Sequence, residues 1–139
     1  MIEIIAGEKG KGKTKHLLEK ANKSVKNATG SIVYLDKSQK NMYELDNKVR
    51  LINVTEFPVT NSDEFLGFIC GIVSQDNDLE EMYLDSFLTI SNMKDDDICH
   101  AIEKLDVISE KYKVKFIISI SKSENELPDC AKAKIILSL

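Results

Sequence analysis

Short apolar runs alternate with longer amphipathic segments along this chain, which predicts strands and helices in regular succession. The runs are short, rich in β-branched residues and bounded by glycine or polar residues, as buried strands usually are. Candidate strands are 2–6, 31–36, the second half of 79–85, 113–121 and 133–139, with a further apolar run at 48–54. Candidate helices are 12–27, 63–73 and 95–112, with a strand left open as the alternative for 68–73.

This alternation indicates right-handed crossovers and a mainly parallel sheet that is covered on both faces. We expect an α/β fold, a single-domain three-layer sandwich over residues 1–139 with a sheet of about five strands. Ligands of such sheets bind at the carboxyl ends of the strands. The loops that fall there are 7–14, 36–40 and 85–94.

Charge is distributed unevenly along the chain, whose formal net charge is −4. Residues 1–26 hold seven lysines against three glutamates, whereas residues 76–110 hold eleven acidic residues against two lysines. The net charge argues against a nucleic-acid partner, and the basic, glycine-rich start of the chain favours a smaller anion. The apolar run at 65–73 is far shorter than the roughly 20 residues of a membrane span, so we expect no membrane insertion.

The three cysteines, Cys70, Cys99 and Cys130, form no close pair in sequence, and of the two histidines only His100 lies beside a cysteine. This spacing argues against a zinc site and against a disulfide framework. The first ten residues have no basic segment ahead of their short apolar run, unlike a signal peptide. We therefore expect reduced cysteines and a cytoplasmic location.

The sequence GEKGKGKT matches the phosphate-binding pattern G-x-x-x-x-G-K-[ST] between a candidate strand and a candidate helix. Glycines let successive backbone N–H groups surround phosphate oxygens, and the positive end of the helix dipole favours the same anion. The lysine that ends the pattern would reach the β- and γ-phosphates, and the threonine hydroxyl would bind Mg²⁺. Lys9 and Lys11 are expected to face solvent. The candidate nucleotide-binding residues are Gly7, Glu8, Lys9, Gly10, Lys11, Gly12, Lys13 and Thr14.

Through this motif and the order of its elements, the whole chain resembles the P-loop NTPase superfamily. Members carry an aspartate at the end of another strand that holds Mg²⁺ through water, and Asp36 and Asp85 both fit. If the resemblance is to the RecA-like branch, the strand after that aspartate lies between the aspartate's strand and the first strand. This implies Asp85 as the metal residue beside Thr14, with 113–121 as the inserted strand. Ser119 or Ser121 would then be a polar sensor of the γ-phosphate, although a strand-end serine can equally bond the backbone.

The nucleotide implied is ATP, because the guanine-binding motif N-K-x-D does not occur. Glu8 stands where the cell-division-positioning ATPases have a lysine, which argues against that subgroup. The segment 36–60 and the end of the chain are similar to a set of short uncharacterised ATP-binding proteins of low-GC bacteria.

The chain lacks a glutamate after Asp85 and has no arginine besides Arg50, and no catalytic residue is assigned. Ser86 follows Asp85 where the RecA-like branch often has a glutamate, and Arg50 is the only arginine. These features predict a slow Mg-dependent ATPase that acts as an oligomer or with a protein partner. A non-hydrolysing ATP-responsive regulatory module is the alternative. A small-molecule kinase is a second alternative, although kinases normally use several arginines in a lid.

Overall fold

A computed structural model describes all 139 residues, and a six-stranded parallel sheet lies at its centre. The expected count of about five strands is one too low, because the apolar run at 48–54 also forms a strand at the sheet edge. The strands are β1 (Ile2–Ala6), β2 (Ser31–Asp36), β3 (Val49–Asn53), β4 (Leu79–Leu84), β5 (Lys115–Ile120) and β6 (Ile135–Ser138). Their order across the sheet is β3-β2-β4-β5-β1-β6.

Five α-helices connect these strands. They are α1 (Lys13–Val25), α2 (Ser62–Gln75), α3 (Phe87–Ile90), α4 (Ile98–Tyr112) and α5 (Asp129–Lys132). Residues 68–73 are helical, so the alternative of a strand there was wrong. Helix α2 begins where the Asn61 side chain accepts a hydrogen bond from the Glu64 N–H at 2.9 Å, which satisfies one of the free donors of a helix start.

Both faces of the sheet are apolar, because successive side chains of a strand point to opposite faces and almost all of them are hydrophobic. In β2, Val33 and Leu35 join the larger cluster of 27 buried residues beneath α2 and α4. Ile32 and Tyr34 point the other way, into a cluster of 10 buried residues beneath α1. The three-layer α/β sandwich is therefore confirmed.

The strand order places β5 between β4 and β1, as the resemblance to the RecA-like branch implied. The register pairs Leu84 with Ile118 and Leu35 with Leu84. The next residues, Asp36, Asp85 and Ser119, consequently lie in one row at the carboxyl edge of the sheet. The fold thus collects polar residues from distant parts of the sequence at one edge.

Gly67 and Gly71 recur on α2 at a spacing that could allow close helix packing. Apart from the nearby backbone of α2 itself, no heavy atom lies within 4 Å of the position where a side chain of either residue would begin. The two glycines therefore do not mediate packing within this chain. No helix combines the length and apolar character that crossing a membrane requires.

Cys99 in α4 and Cys130 in α5 form a disulfide bond, and Cys70 is free and exposed. The expectation that the chain has no disulfide is therefore wrong. The two residues are 31 positions apart in sequence, with Cα atoms 5.8 Å apart after the chain has passed through α4 and β5. Sequence spacing missed the pair because only the packing of α5 against α4 brings the thiols together.

We predict that reduction of this bond destabilises the protein. Opening a loop of this length restores conformational entropy to the unfolded chain and lowers the free energy of unfolding by roughly 3–4 kcal/mol. Urea unfolding with and without dithiothreitol measures the change. The double variant C99S/C130S should match the reduced protein, and Cys70→Ser should behave like wild type. Three reactive thiols in the native, unreduced protein would contradict the prediction.

Candidate functional site

The glycine-rich loop runs from the end of β1 to the start of α1 at the carboxyl edge of the sheet. Gly10 and Gly12 have φ angles of 87° and 95°, a conformation that side-chain-bearing residues rarely adopt. Gly12 is the N-cap of α1, and no side chain caps this helix end. Because the first turn of a helix leaves backbone N–H groups free, this end of α1 can accept an anion.

Lys13 is the first residue of α1, and its side chain folds back over the loop. The Lys13 Nζ atom donates a hydrogen bond to the Glu8 carbonyl at 3.0 Å. Only 7% of the residue is exposed, and it lies in the wall of the cavity described below. Burial lowers the pKa of Lys13, and the Asp85 carboxylate opposes this effect. The lysine that the motif predicts to bind phosphate therefore forms a hydrogen bond within its own loop.

The buried carboxylate of Asp85, directly after β4, joins three elements through hydrogen bonds. Its Oδ1 atom accepts from the Thr14 hydroxyl at 3.2 Å and from the Ser119 hydroxyl at 2.8 Å. Its Oδ2 atom accepts from the Tyr34 hydroxyl at 2.8 Å. Burial and the nearby Asp85 carboxylate raise the pKa of Tyr34 far above its usual value. Tyr34 consequently remains a protonated donor to Asp85.

Ser86 follows Asp85 with a left-handed backbone, at a φ of 56°. Its N–H donates to the Ser119 hydroxyl oxygen at 2.8 Å. Ser119 therefore receives one hydrogen bond from the backbone and donates its own proton to Asp85. Of the two serines expected to sense the γ-phosphate, Ser119 is fully buried and engaged in these bonds, whereas Ser121 is exposed at the cavity.

Asp36, the competing acid, is turned toward its own loop. Its Oδ1 atom accepts from the Lys37 N–H at 2.7 Å, and its Oδ2 atom accepts from the Asn41 side chain at 3.1 Å. Burial, and secondarily the Asp85 carboxylate, raises the pKa of Asp36. Asp36 does not line the cavity beside the glycine-rich loop. Its carboxylate stabilises the chain at 37–41.

A polar cavity of about 280 Å³ joins these parts at the carboxyl edge. All three loops expected at this edge contribute to its wall. Asp85 is the only acidic residue of the lining, and no hydrophobic residue takes part. The lining residues are Lys9, Gly10, Gly12, Lys13, Thr14, Lys37, Lys40, Asp85, Ser86, Ser119 and Ser121.

The motif residues divide into two groups around this cavity. Lys9 is exposed, as expected, and it also lines the cavity. Gly7, Glu8 and Lys11 belong to the loop but not to the cavity wall, and Lys11 is exposed as expected. The motif residues that form the cavity wall are Lys9, Gly10, Gly12, Lys13 and Thr14.

Three residues of the site were not predicted from the sequence: Tyr34, Lys37 and Lys40. Tyr34 lies within an apolar strand, and only the strand order shows that its hydroxyl meets Asp85. The lysines lie in the 36–40 loop, which was expected at the correct edge without a role for its side chains. Their position in the sequence could have indicated a role in the site, because both lysines follow a buried strand that ends in an aspartate.

Arg50 is the second residue of the edge strand β3, where it is exposed and pairs with Val33. The cavity lies at the other end of the strands, and Arg50 is not part of its wall. This chain therefore supplies no arginine to its own polar cavity.

A larger cavity of about 590 Å³ lies between α2 and α4 and is mainly lined by apolar residues. It includes Leu66, Gly67, Cys70 and Val107 and shares no residue with the polar cavity. Size alone would select this groove. The glycine-rich loop, the free helix start and the buried carboxylate all converge on the smaller cavity, which we take as the candidate functional site.

Comparisons with known proteins found no relative by sequence and only distant similarity in structure. No family model matches the chain, and no curated protein matches it. Among solved structures, the chain superposes on Caenorhabditis elegans PCH-2 with a TM-score of 0.49 and 10% sequence identity. The match covers 98% of this chain and 33% of that one, so this chain spans about a third of its length. A likeness at this level establishes no family and no function.

We predict that Asp85→Asn weakens the Mg²⁺ dependence of nucleotide binding more than Asp36→Asn does. The Asp85 carboxylate contacts the Thr14 hydroxyl, whereas both oxygens of Asp36 are used by its own loop. Loss of an aspartate that holds the metal through water should lower Mg²⁺ affinity by about 10–100-fold.

Calorimetric Mg²⁺ titration at fixed ADP compares the two variants. Asparagine keeps one oxygen acceptor and is close in size, so circular dichroism should show both variants folded. A larger loss in Asp36→Asn would assign the metal to Asp36 and reject Asp85.

Proposed function

We propose that residues 1–139 form one nucleotide-binding domain that binds ATP with Mg²⁺ in the polar cavity. The observation that carries the proposal is the contact of the Thr14 hydroxyl with the buried Asp85 carboxylate at 3.2 Å, beside the glycine-rich loop. Neither residue is near the other in sequence. A loop that served only as a turn would not need a buried acid opposite its threonine.

In this proposal the loop binds the phosphates through its backbone N–H groups and the start of α1. Lys13 would exchange the Glu8 carbonyl for phosphate oxygens, a better partner for a cation. This exchange requires a rotation of the lysine side chain. Glu8 and Lys11 would act through their backbone, since neither residue lines the cavity.

The residues present fit a magnesium ion. Mg²⁺ prefers oxygen ligands and is usually held by one or two carboxylates together with water and phosphate. Thr14 and Asp85 supply a hydroxyl and a carboxylate at one point of the cavity, where the ion would neutralise phosphate charge. Asp85 also carries two hydrogen bonds, from Tyr34 and Ser119, that fix its orientation toward that point.

The same geometry supports slow hydrolysis by the isolated chain. Asp85 is the only acid of the cavity and is already engaged, Ser86 stands in place of a glutamate, and Arg50 lies elsewhere. Orientation of the attacking water and neutralisation of the transition state would come from an oligomer or from a protein partner. In small GTPases such groups, supplied by another protein, accelerate hydrolysis by about 10⁵-fold.

The single engaged acid equally favours a second candidate, a regulatory module that binds ATP without hydrolysing it. A small-molecule kinase has less support, because no arginine reaches the cavity. Nucleic acid is not part of the proposal, given the net charge of −4. A cytoplasmic location is part of the proposal. The Cys99–Cys130 bond is evidence against this location, because disulfides are rare in a reducing compartment.

We predict that Mg-ATP and Mg-ADP raise the melting temperature. A ligand at 100 times its dissociation constant adds about 2.7 kcal/mol to the free energy of unfolding. Lys13→Ala should abolish the shift, because it removes the cation at the start of α1. Lys11→Ala removes the same charge from the same loop outside the cavity and should retain the shift. An unchanged shift in Lys13→Ala would place the nucleotide elsewhere.

We predict that the purified monomer hydrolyses Mg-ATP far more slowly than the roughly 10 s⁻¹ typical of enzymes. Phosphate release at several protein concentrations measures the rate. A rate per chain that rises with concentration would indicate self-assembly, and no release at any concentration would favour the regulatory module. Turnover at ordinary enzyme rates by a monomer, unchanged in Arg50→Ala, would refute the slow-ATPase proposal.

A further inference from the structure

The wall of the polar cavity opposite the glycine-rich loop carries two lysines, Lys37 and Lys40, that the proposed function has not used. They come from the segment after β2, so they reach the cavity from beyond Asp85, and β4 and β5 separate β2 from β1. Together with Lys9 and Lys13 they surround a cavity that contains one carboxylate. The positive charge on the wall formed by the segment after β2 therefore comes from residues outside the glycine-rich motif.

The segment that carries these lysines is held at both ends by one buried residue. Asp36 is 2% exposed, and it accepts from the Lys37 N–H at 2.7 Å and from the side chain of buried Asn41 at 3.1 Å. Lys37 and Lys40 lie between these two anchors. A buried charge is costly unless it is well paired. The two hydrogen bonds to Asp36 therefore keep this segment in a defined position beside the cavity.

Neither lysine is bound to an acid of this chain. The ion pairs of the structure involve Lys20, Lys115, Lys122, Lys134 and the N-terminus. Burial is the main cause of the lowered pKa of Lys13, and repulsion from the Lys37 cation adds to it. An anion placed between these two exposed cations and Lys13 would be attracted by all three.

We propose that Lys37 and Lys40 bind the terminal phosphate of a nucleoside triphosphate and distinguish it from a diphosphate. The proposal rests on the proposed nucleotide site. Lys13 and the helix start lie on the loop side, so the phosphate that extends farthest from the loop is the one that reaches the opposite wall. These lysines would bind the terminal phosphate in the ground state, and the charge that stabilises the transition state would still come from an oligomer or a protein partner.

The test compares the dissociation constants of Mg-ADP and of a non-hydrolysable ATP analogue, with Mg²⁺ in excess and at fixed ionic strength. In the double variant K37A/K40A, affinity for the triphosphate should fall by about tenfold or more, as expected for the loss of charge-assisted hydrogen bonds. Affinity for Mg-ADP should change by less than about threefold. K37R/K40R keeps both charges and should restore most of the triphosphate affinity.

The matched control is K26A/K48A, which removes two exposed lysines that neither line the cavity nor belong to the glycine-rich loop. It has the same net charge as K37A/K40A and should keep the preference for triphosphate. Equal losses for both nucleotides in K37A/K40A, or a preserved preference, would overturn this inference alone. If wild type binds neither nucleotide, both this inference and the proposed function are wrong.

Discussion

The hydrogen bonds to the buried Asp85 carboxylate are the interaction on which the organisation of the site depends. They tie together the start of α1, the end of β5 and the middle of β2, three parts of the chain that are distant in sequence. A carboxylate buried without such donors would lose several kcal/mol of solvation. Each donor comes from a hydroxyl that stays neutral, so the negative charge remains available to a cation. The same bonds therefore stabilise the fold and prepare the site.

The balance of charge in the cavity follows from how the two aspartates are partnered. Asp36 and Asp85 end neighbouring strands in one row, and burial raises the pKa of Asp36. Asp36 directs its carboxylate to the backbone and to Asn41, away from the cavity, and in doing so it fixes the segment that brings Lys37 and Lys40 to the wall. One acid thus faces the cavity while the other positions cations there. This division explains how a chain with net negative charge forms a cavity that favours anions.

The alternation of apolar runs was sufficient to predict the sandwich, because strands covered on both faces are apolar on both faces. The motif from Gly7 to Thr14 located the loop, and the resemblance to the RecA-like branch implied the position of β5. Contacts made only through tertiary packing were missed: the hydroxyl of Tyr34 on Asp85, the lysines after β2, and the Cys99–Cys130 bond. Residue spacing does not encode these contacts. They depend on which strands become neighbours and where α5 packs.

The most direct test of the central claim is a map of where a metal–nucleotide complex binds. Mn²⁺ replaces Mg²⁺ in many sites and broadens the NMR signals of nearby backbone amides. With Mn-ADP bound to ¹⁵N-labelled protein, the account predicts loss of the amide signals of Gly12, Thr14, Asp85 and Ser86, and unchanged signals for Gly67 and Val107 in the groove between α2 and α4. Broadening confined to that groove, or no broadening at the carboxyl edge of the sheet, would contradict the account.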